Sequence, residues 1–276
     1  MSEQTFAPAE WRLIQNTPAP GAWNMAVDEA ILEAAGRGRV PPTLRLYAWE
    51  PPCLSLGYAQ PFSDVDLARL HERGWQVVRR PTGGRAILHT DELTYSICGP
   101  GSEPRLAGSV LESYRTLSTA LLEALRLLDT PAESQPSAAS KSHGPVCFEI
   151  PSNYEITVAG RKLIGSAQAR RKGGVLQHGT LPLHGDLGRI VQVLVFGDEN
   201  ARRFSAEKLH AHAATLEEVV GHELSWLQAA QAFASAFRET LNLHLTPADL
   251  TPAELARAEE LVEAKYANAE WTQKLG

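Results

Sequence analysis

The sequence predicts an α+β protein with a mixed, largely antiparallel sheet flanked by helices. Three observations carry that reading. Stretches of alternating apolar residues come in runs joined by short turns, and such stretches pair as hairpins. Helical patterns stand before, between and after these runs, so the order is not a regular βαβ alternation. Finally, 43% of the 276 residues are hydrophobic, enough to bury a sizeable core.

In chain order, residues 11–16 read as a first strand. Asn24 is placed to cap a helix running to about Gly36, with Met25, Val27, Ile31 and Ala34 as its apolar stripe. Asp28 and Glu29 fall in its first turns, where the helix dipole favours acids. Residues 43–49 alternate, with Leu44, Leu46 and Ala48 on one face and Arg45, Tyr47 and Trp49 on the other. Residues 53–58 read as a strand. Ser63 caps a short helix ending at Gly74. Residues 75–79 form a strand that feeds the loop 80–85, and 93–98 form another strand. The clearest helix is 109–128, where Val110, Tyr114, Leu117, Leu121, Leu125 and Leu128 recur at spacings of three and four. The Pro-, Ser- and Ala-rich stretch 130–144 reads as a loop that delivers the chain to Cys147.

A hairpin unit follows. Tyr154, Ile156 and Val158 share one face of a strand, and a Gly160-Arg161 turn leads to a strand that begins with Lys162. That strand carries the small residues Gly165, Ser166 and Ala167, and a third strand ends at Gly179-Thr180-Leu181. A helix is expected over about 186–195, then polar loops. A long amphipathic helix over about 225–241 turns Leu227, Ala230, Phe233, Ala234 and Phe237 inward. A last helix, from Thr251 or Pro252 to about Tyr266, is strongly charged and is expected to pack loosely. The chain divides into a body, 1–250, and a short C-terminal helical tail, 251–276.

The net charge of −6 argues against a nucleic-acid binder working through bulk charge. Yet residues 161–172 hold five basic residues and no acidic one, a local patch suited to an anionic partner. No apolar run approaches the roughly 20 residues of a membrane span, and no basic-then-apolar leader opens the chain. The three cysteines, Cys53, Cys98 and Cys147, are odd in number and lack metal-type spacing. They read as free thiols in a reducing cytoplasm, with no metal.

Chemistry concentrates at a few positions, each with a plain structural alternative. Cys147 sits in a loop, where a thiol is better placed to react than inside a strand; a small core residue is the other reading. Cys53 and Cys98, on apolar strands, read as core. Lys162 is either a solvated turn lysine or a cation that polarises a carbonyl beside the close-approach surface Gly165-Ser166-Ala167. The loop Arg80-Pro81-Thr82-Gly83-Gly84-Arg85 could cradle a phosphate or carboxylate, although it is not a P-loop. His89 is a base or a core histidine, and His178, before Gly179, is a strand histidine or part of a site.

Taken together, these stretches resemble the lipoate–protein ligase and octanoyltransferase family of the biotin/lipoate ligase superfamily. The matches are Asn24-Met25-Ala26-Val27-Asp28-Glu29-Ala30, Ser55-Leu56-Gly57-Tyr58-Ala59-Gln60 and Arg79-Arg80-Pro81-Thr82-Gly83-Gly84-Arg85-Ala86. They continue with Glu92-Leu93-Thr94-Tyr95, Gly160-Arg161-Lys162-Leu163-Ile164-Gly165-Ser166-Ala167-Gln168 and His178-Gly179-Thr180-Leu181. Arg85, where lipoate ligases usually have a third glycine, and the short segment after Thr251 point away from the ligases. The Val146-Cys147-Phe148-Glu149 loop is similar to that of the cysteine-dependent, ligase-like octanoyltransferases. Thr90 departs from the family's usual Asp, with Asp91 and Glu92 beside it.

The resemblance implies the biotin/lipoate ligase catalytic-domain fold, with 1–250 as an acyltransferase domain. It implies octanoyl transfer from octanoyl-acyl carrier protein to a lysine of a lipoyl domain, either of a 2-oxoacid dehydrogenase or of a glycine-cleavage H-type protein. Cys147 would carry the acyl group, and Lys162, or secondarily His143, would supply the cation. The acyl chain would lie in an apolar slot under the 80–85 loop and the Lys162 strand. Substrate contacts would come from Arg80, Gly83, Gly84, Arg85, His89, Gly165, Ser166, Ala167, His178 and Gly179. No cofactor, nucleic acid or membrane is expected. The alternatives are an ATP-dependent lipoate ligase, an amidotransferase moving octanoate between lipoyl-type proteins, and a silent acyl- or lipoyl-domain-binding module.

Overall fold

The computed structural model describes residues 6–135 and 155–274. The chain order begins β1 (Ala9–Gln15), α1 (Gly21–Gly36), β2 (Thr43–Tyr47), β3 (Cys53–Leu56), α2 (Leu67–Glu72), β4 (Gln76–Arg79), β5 (Ile87–His89) and β6 (Glu92–Pro100). It continues with α3 (Val110–Leu127), β7 (Glu133–Gln135), β8 (Glu155–Val158), β9 (Arg161–Arg171) and β10 (Gly174–Pro182). It closes with α4 (Glu199–His212), α5 (Leu216–Val220), α6 (Trp226–Thr240), β11 (Leu243–Pro247), α7 (Pro252–Leu261) and α8 (Ala269–Thr272). An eight-stranded sheet runs β11-β1-β2-β6-β10-β9-β8-β7, and a three-stranded sheet runs β4-β3-β5. The large sheet is parallel where β1 meets β11 and β2, and antiparallel from β2 onward. The mixed, largely antiparallel α+β architecture is therefore as the sequence predicts.

The alternation in β2 explains how both faces of that sheet are covered. Leu44 and Leu46 enter the cluster beneath α3 and α6 with Tyr95, Leu117 and Phe233. Tyr47 points the other way, into the cluster of Met25, Ile31, Leu176 and Ala258 from α1, β10 and α7. A third cluster, with Leu54, Leu56, Ile190 and Leu209, lies against the small sheet. Helix α3 is held at its start by a capping box between Ser109 and Glu112, and α6 by one between Ser225 and Gln228. Each box satisfies backbone donors that the first turn would otherwise strand.

Several local expectations give way. Helix α1 begins at Gly21 behind Pro20, and Asn24 lies inside it. The Asn24 amide donates to the Ala19 and Ala48 carbonyls, and its oxygen accepts from Arg45, so it ties helix to strand instead of capping. Asp66, not Ser63, caps α2. The β8–β9 turn is Ala159-Gly160, both at positive φ, and Arg161 already belongs to β9. Leu227 points outward, at 56% exposure. The polar stretch after β10 holds a full helix, α4, and β11 pairs in parallel with β1 at the sheet edge.

The C-terminal segment is packed, not loose. Ala258, Leu261 and Tyr266 are buried against α1. Glu254 accepts from both Arg12 terminal nitrogens, at 2.6 and 3.0 Å, in a buried ion pair. No helix among the described residues is long and apolar enough to cross a membrane.

Candidate active site

A cavity of about 240 Å³ lies between the two sheets. Its walls come from six places: Met25 of α1, Tyr47 and Trp49 at the end of β2, the loop after β4, Ile87 and His89 of β5, Thr94 of β6, and facing parts of β9 and β10. Arg80, Gly83, Gly84, His89, Gly165, Ser166, Ala167, His178 and Gly179 all line it. The sequence spread these residues over a hundred positions, and the fold gathers them round one space. Arg85 and Lys162 are not among the lining residues. The Arg85 carbonyl accepts from Arg80 at 2.9 Å. Lys162 is buried beside β8, its ammonium 2.5 Å from Glu155. Cys147 and His143 lie outside the described residues.

Glycine is dictated at the wall. A Cβ at Gly179 would come within 2.6 Å of the Gly165 carbonyl and the Ser166 hydroxyl. One at Gly57 would sit 1.8 Å from the Gly84 carbonyl, and Gly84 itself has φ +96. Larger residues would force the 80–85 loop off β3. Arg80 braces the loop from within. It donates to the Ser55 carbonyl and hydroxyl, at 2.7 and 2.6 Å, and to the Gly83 carbonyl at 3.2 Å.

Two buried histidines face the cavity, each backed by a carboxylate. His89 Nδ1 is 2.6 Å from Glu92, and its Nε2 is 2.6 Å from the Ser55 hydroxyl. Trp49 stacks on the His89 ring, centroids 3.9 Å apart. His178 Nδ1 is 3.4 Å from Asp28, and its Nε2 is 2.7 Å from the Thr82 hydroxyl. Burial pushes the His178 pKa down despite the Asp28 carboxylate, so the ring is neutral at pH 7. Burial would raise Asp28, but His178, Arg45 and Ser96 outweigh it and hold the carboxyl low. The carboxylates Asp28 and Glu92 thus stand one layer behind the two histidines that face the cavity.

Sequence reasoning passed over Trp49, Thr82, Asp28 and Ser55. Asp28 was visible as a helix-dipole residue and as part of the 24–30 family match, and nothing in its spacing connects it to His178. Beside Thr90, Asp91 pairs with Arg189 and Glu92 with His89, so Glu92 is the acid of this pair that reaches the cavity wall. Cys53 and Cys98 are buried core thiols whose pKa values burial pushes up. Among the described residues no group of three or more His, Cys, Asp and Glu side chains is arranged to hold a metal.

The family model described as the lipoyl protein ligase A/B catalytic domain matches residues 20–238. Octanoyltransferase LipM of Kyrpidia tusciae is 42% identical over 271 residues, covering 96% of this chain and 98% of that protein. Its namesake from Staphylococcus aureus is 38% identical over 271 residues, covering 95% and 97%. Among solved structures, a bipartite lipoate protein ligase from Thermoplasma acidophilum, described with its E2 lipoyl domain, superposes with a TM-score of 0.81 at 26% identity, covering 97% of each chain. A lipoate-protein ligase A bound with ATP gives 0.79 at 27% identity, covering 97% of this chain and 100% of that one. The family match spans most of the chain and contains the whole cavity wall, and the chain belongs to the lipoyl protein ligase A/B catalytic domain family.

Proposed function

We propose that the protein transfers an octanoyl group from octanoyl-acyl carrier protein to the ε-amino group of a lipoyl-domain lysine, through a thioester on Cys147. The observation that carries this reading is the end-to-end match to relatives named octanoyltransferase LipM, 42% identical over 98% of the Kyrpidia protein. The cavity supports it. Its volume of about 240 Å³ and its lining by Met25, Tyr47, Trp49 and Ile87 suit a medium-length acyl chain. The lipoyl domain described with the Thermoplasma ligase supports a lipoyl-type acceptor.

The chemistry balances in two steps. The Cys147 thiolate attacks the thioester carbonyl, a new C–S bond forms, and the donor leaves as a thiol. The acceptor amine then attacks the acyl-enzyme, the amide C–N bond forms, the amine proton passes to a base and the Cys147 thiol is restored. A thioester is already activated, so ATP is not consumed. A nearby cation favours the thiolate, and Lys162 is assigned that role. Glu155 holds its ammonium at 2.5 Å. The apolar cavity would hold the acyl chain, with His89 and His178 shaping its polar wall.

A second reading, an ATP-dependent lipoate ligase, is favoured by the likeness to the ATP-bound lipoate-protein ligase A. The test presents one apo-lipoyl domain with three donors: octanoyl-acyl carrier protein without ATP, octanoate with ATP, and an octanoylated H-type protein. Amide formation from the first supports the proposal. Formation from the second alone selects the ligase, and from the third alone the amidotransferase.

A further inference from the structure

In sequence, residues 161–172 look like one continuous cationic patch. The fold takes it apart. Arg161 pairs with Glu218, Lys162 with Glu155, and Lys172 with Glu29 and Glu33. Arg170 is spent on the Leu106 and Ser109 carbonyls and the Ser113 hydroxyl. Arg171 meets no carboxylate among the described residues. It donates to the Pro81 carbonyl at 2.8 Å and lies over the Tyr58 ring, 5.3 Å from its centroid.

A second such cation comes from the far end of the chain. The Lys274 ammonium stands 3.4 Å from the Tyr58 centroid and 3.8 Å from that of Trp271, and it too has no carboxylate partner among the described residues. It is brought there by Arg79, which is fully buried. Arg79 donates twice to the Thr272 carbonyl, at 3.0 and 2.8 Å, and also to the carbonyls of Gly57 and Gln60. Trp271 returns a hydrogen bond to the Arg79 carbonyl at 2.9 Å. The tail is therefore pinned to the strand that leads into the cavity loop. Tyr58 is pinned to the same loop through its N–H and the Thr82 carbonyl, 2.8 Å.

Two like charges held against one exposed ring repel each other in the free protein. Partial burial, then Arg79, Lys265 and Arg171, push the Lys274 pKa down to about 8. An arriving anion relieves that repulsion. We propose that Tyr58, Arg171 and Lys274 form a phosphate-binding subsite at the rim of the acyl cavity, which takes the phosphodiester of the donor's pantetheine arm. The inference rests on the acyl-transfer reading above. The arm carries its thioester at one end and its phosphodiester at the other. With the acyl chain in the cavity behind Gly83 and Gly84, the arm runs outward past Pro81, the residue Arg171 grips. A guanidinium, an ammonium and a phenol O–H together offer the donors a phosphate oxygen cluster accepts.

The test compares octanoyl-phosphopantetheine with octanoyl-pantetheine as small thioester donors to an apo-lipoyl domain. With the wild-type protein the phosphorylated donor is expected to have a KM about tenfold lower, about 1.4 kcal/mol, at similar kcat. Lys274→Gln and Arg171→Gln each narrow that ratio, and together bring it close to one. Equal KM values in the wild type, or a ratio that neither substitution moves, overturn the proposal. So does an equal loss on both donors, which would make the residues mere packing. Competitive inhibition by ATP that Lys274→Gln abolishes, without any preference between the two donors, would assign the cations to a nucleotide and overturn it as well. If neither thioester reacts with the wild type, the acyl-transfer reading itself has failed, and this inference with it.

Discussion

Behind the cavity wall Asp28 and Arg45 are bonded to each other, whereas at the cavity rim Arg171 and Lys274 meet no carboxylate among the described residues. Asp28 shows the first arrangement. It is fully buried and accepts from Arg45 at 2.8 Å, Tyr47 at 3.0 Å and Ser96 at 2.7 Å. Tyr58 shows the second, 42% exposed with a cation on its ring. The difference teaches where to look for ligand-directed charge in this fold. Charge that is paired and buried fixes the shape of the cavity. Charge left over at an exposed edge is what a partner can use.

The comparison breaks most sharply at Asp28. Asp28→Ala would leave Arg45 buried without its carboxylate, which typically costs 3–5 kcal/mol in such pairs, about a third or more of a domain's stability. Urea denaturation should show a loss of that order, and a change below about 1 kcal/mol would mean Asp28 does not organise the wall. Next in size is the response to acid. Burial would raise Glu29, but hydrogen bonds from Lys265, Tyr266 and Lys172 hold its carboxyl at about 2. Its pKa is depressed in the folded state, so its contribution is present above the ordinary value of 4.5 and is lost as pH falls toward 2. Stability measured against pH should fall through that window, and Glu29→Gln should flatten the fall.

Smaller again is the effect of Gly179→Ala. Its methyl group would meet the Gly165 carbonyl and Ser166 hydroxyl at 2.6 Å. Overpacking of this kind typically costs about 1–3 kcal/mol, and kcat/KM for an octanoyl donor should drop while that for a shorter acyl donor drops less. An unchanged chain-length profile would place the acyl group elsewhere. Smallest is the rim. Lys274→Gln should change stability by no more than about 0.5 kcal/mol, and a larger loss in thermal unfolding would make its ammonium structural.

Much of this arrangement was legible in the sequence. The alternation at 43–49 gave both faces of β2 correctly, because period-two patterning is set by the strand itself. Gly83, Gly84 and the run Gly165-Ser166-Ala167 were visible as a turn and a close-approach surface, while Arg80, His89, His178 and Gly179 were tied to them as substrate contacts by the family resemblance. What stayed hidden depends on residues far apart in sequence. The Asp28–His178 contact spans 150 positions, and the Arg79–Thr272 clamp spans 193. The charged face of the last helix suggested loose packing, because sequence shows Glu254 and Lys265 without Arg12 and Glu29, the partners they pair with in the fold. Asn24 misled for a related reason. It has the chemistry of a cap, but Pro20 starts the helix earlier and leaves the amide to bind carbonyls across the fold.

The most direct test of the acyl-transfer account is intact-mass spectrometry of the protein mixed with octanoyl-acyl carrier protein without ATP, beside Cys147→Ala and Lys162→Ala. The account predicts one octanoyl adduct on the wild type, discharged by an apo-lipoyl domain, a slower adduct on Lys162→Ala and none on Cys147→Ala. An equal adduct on Cys147→Ala, or lipoyl-domain modification that appears only with ATP and free octanoate, would contradict it.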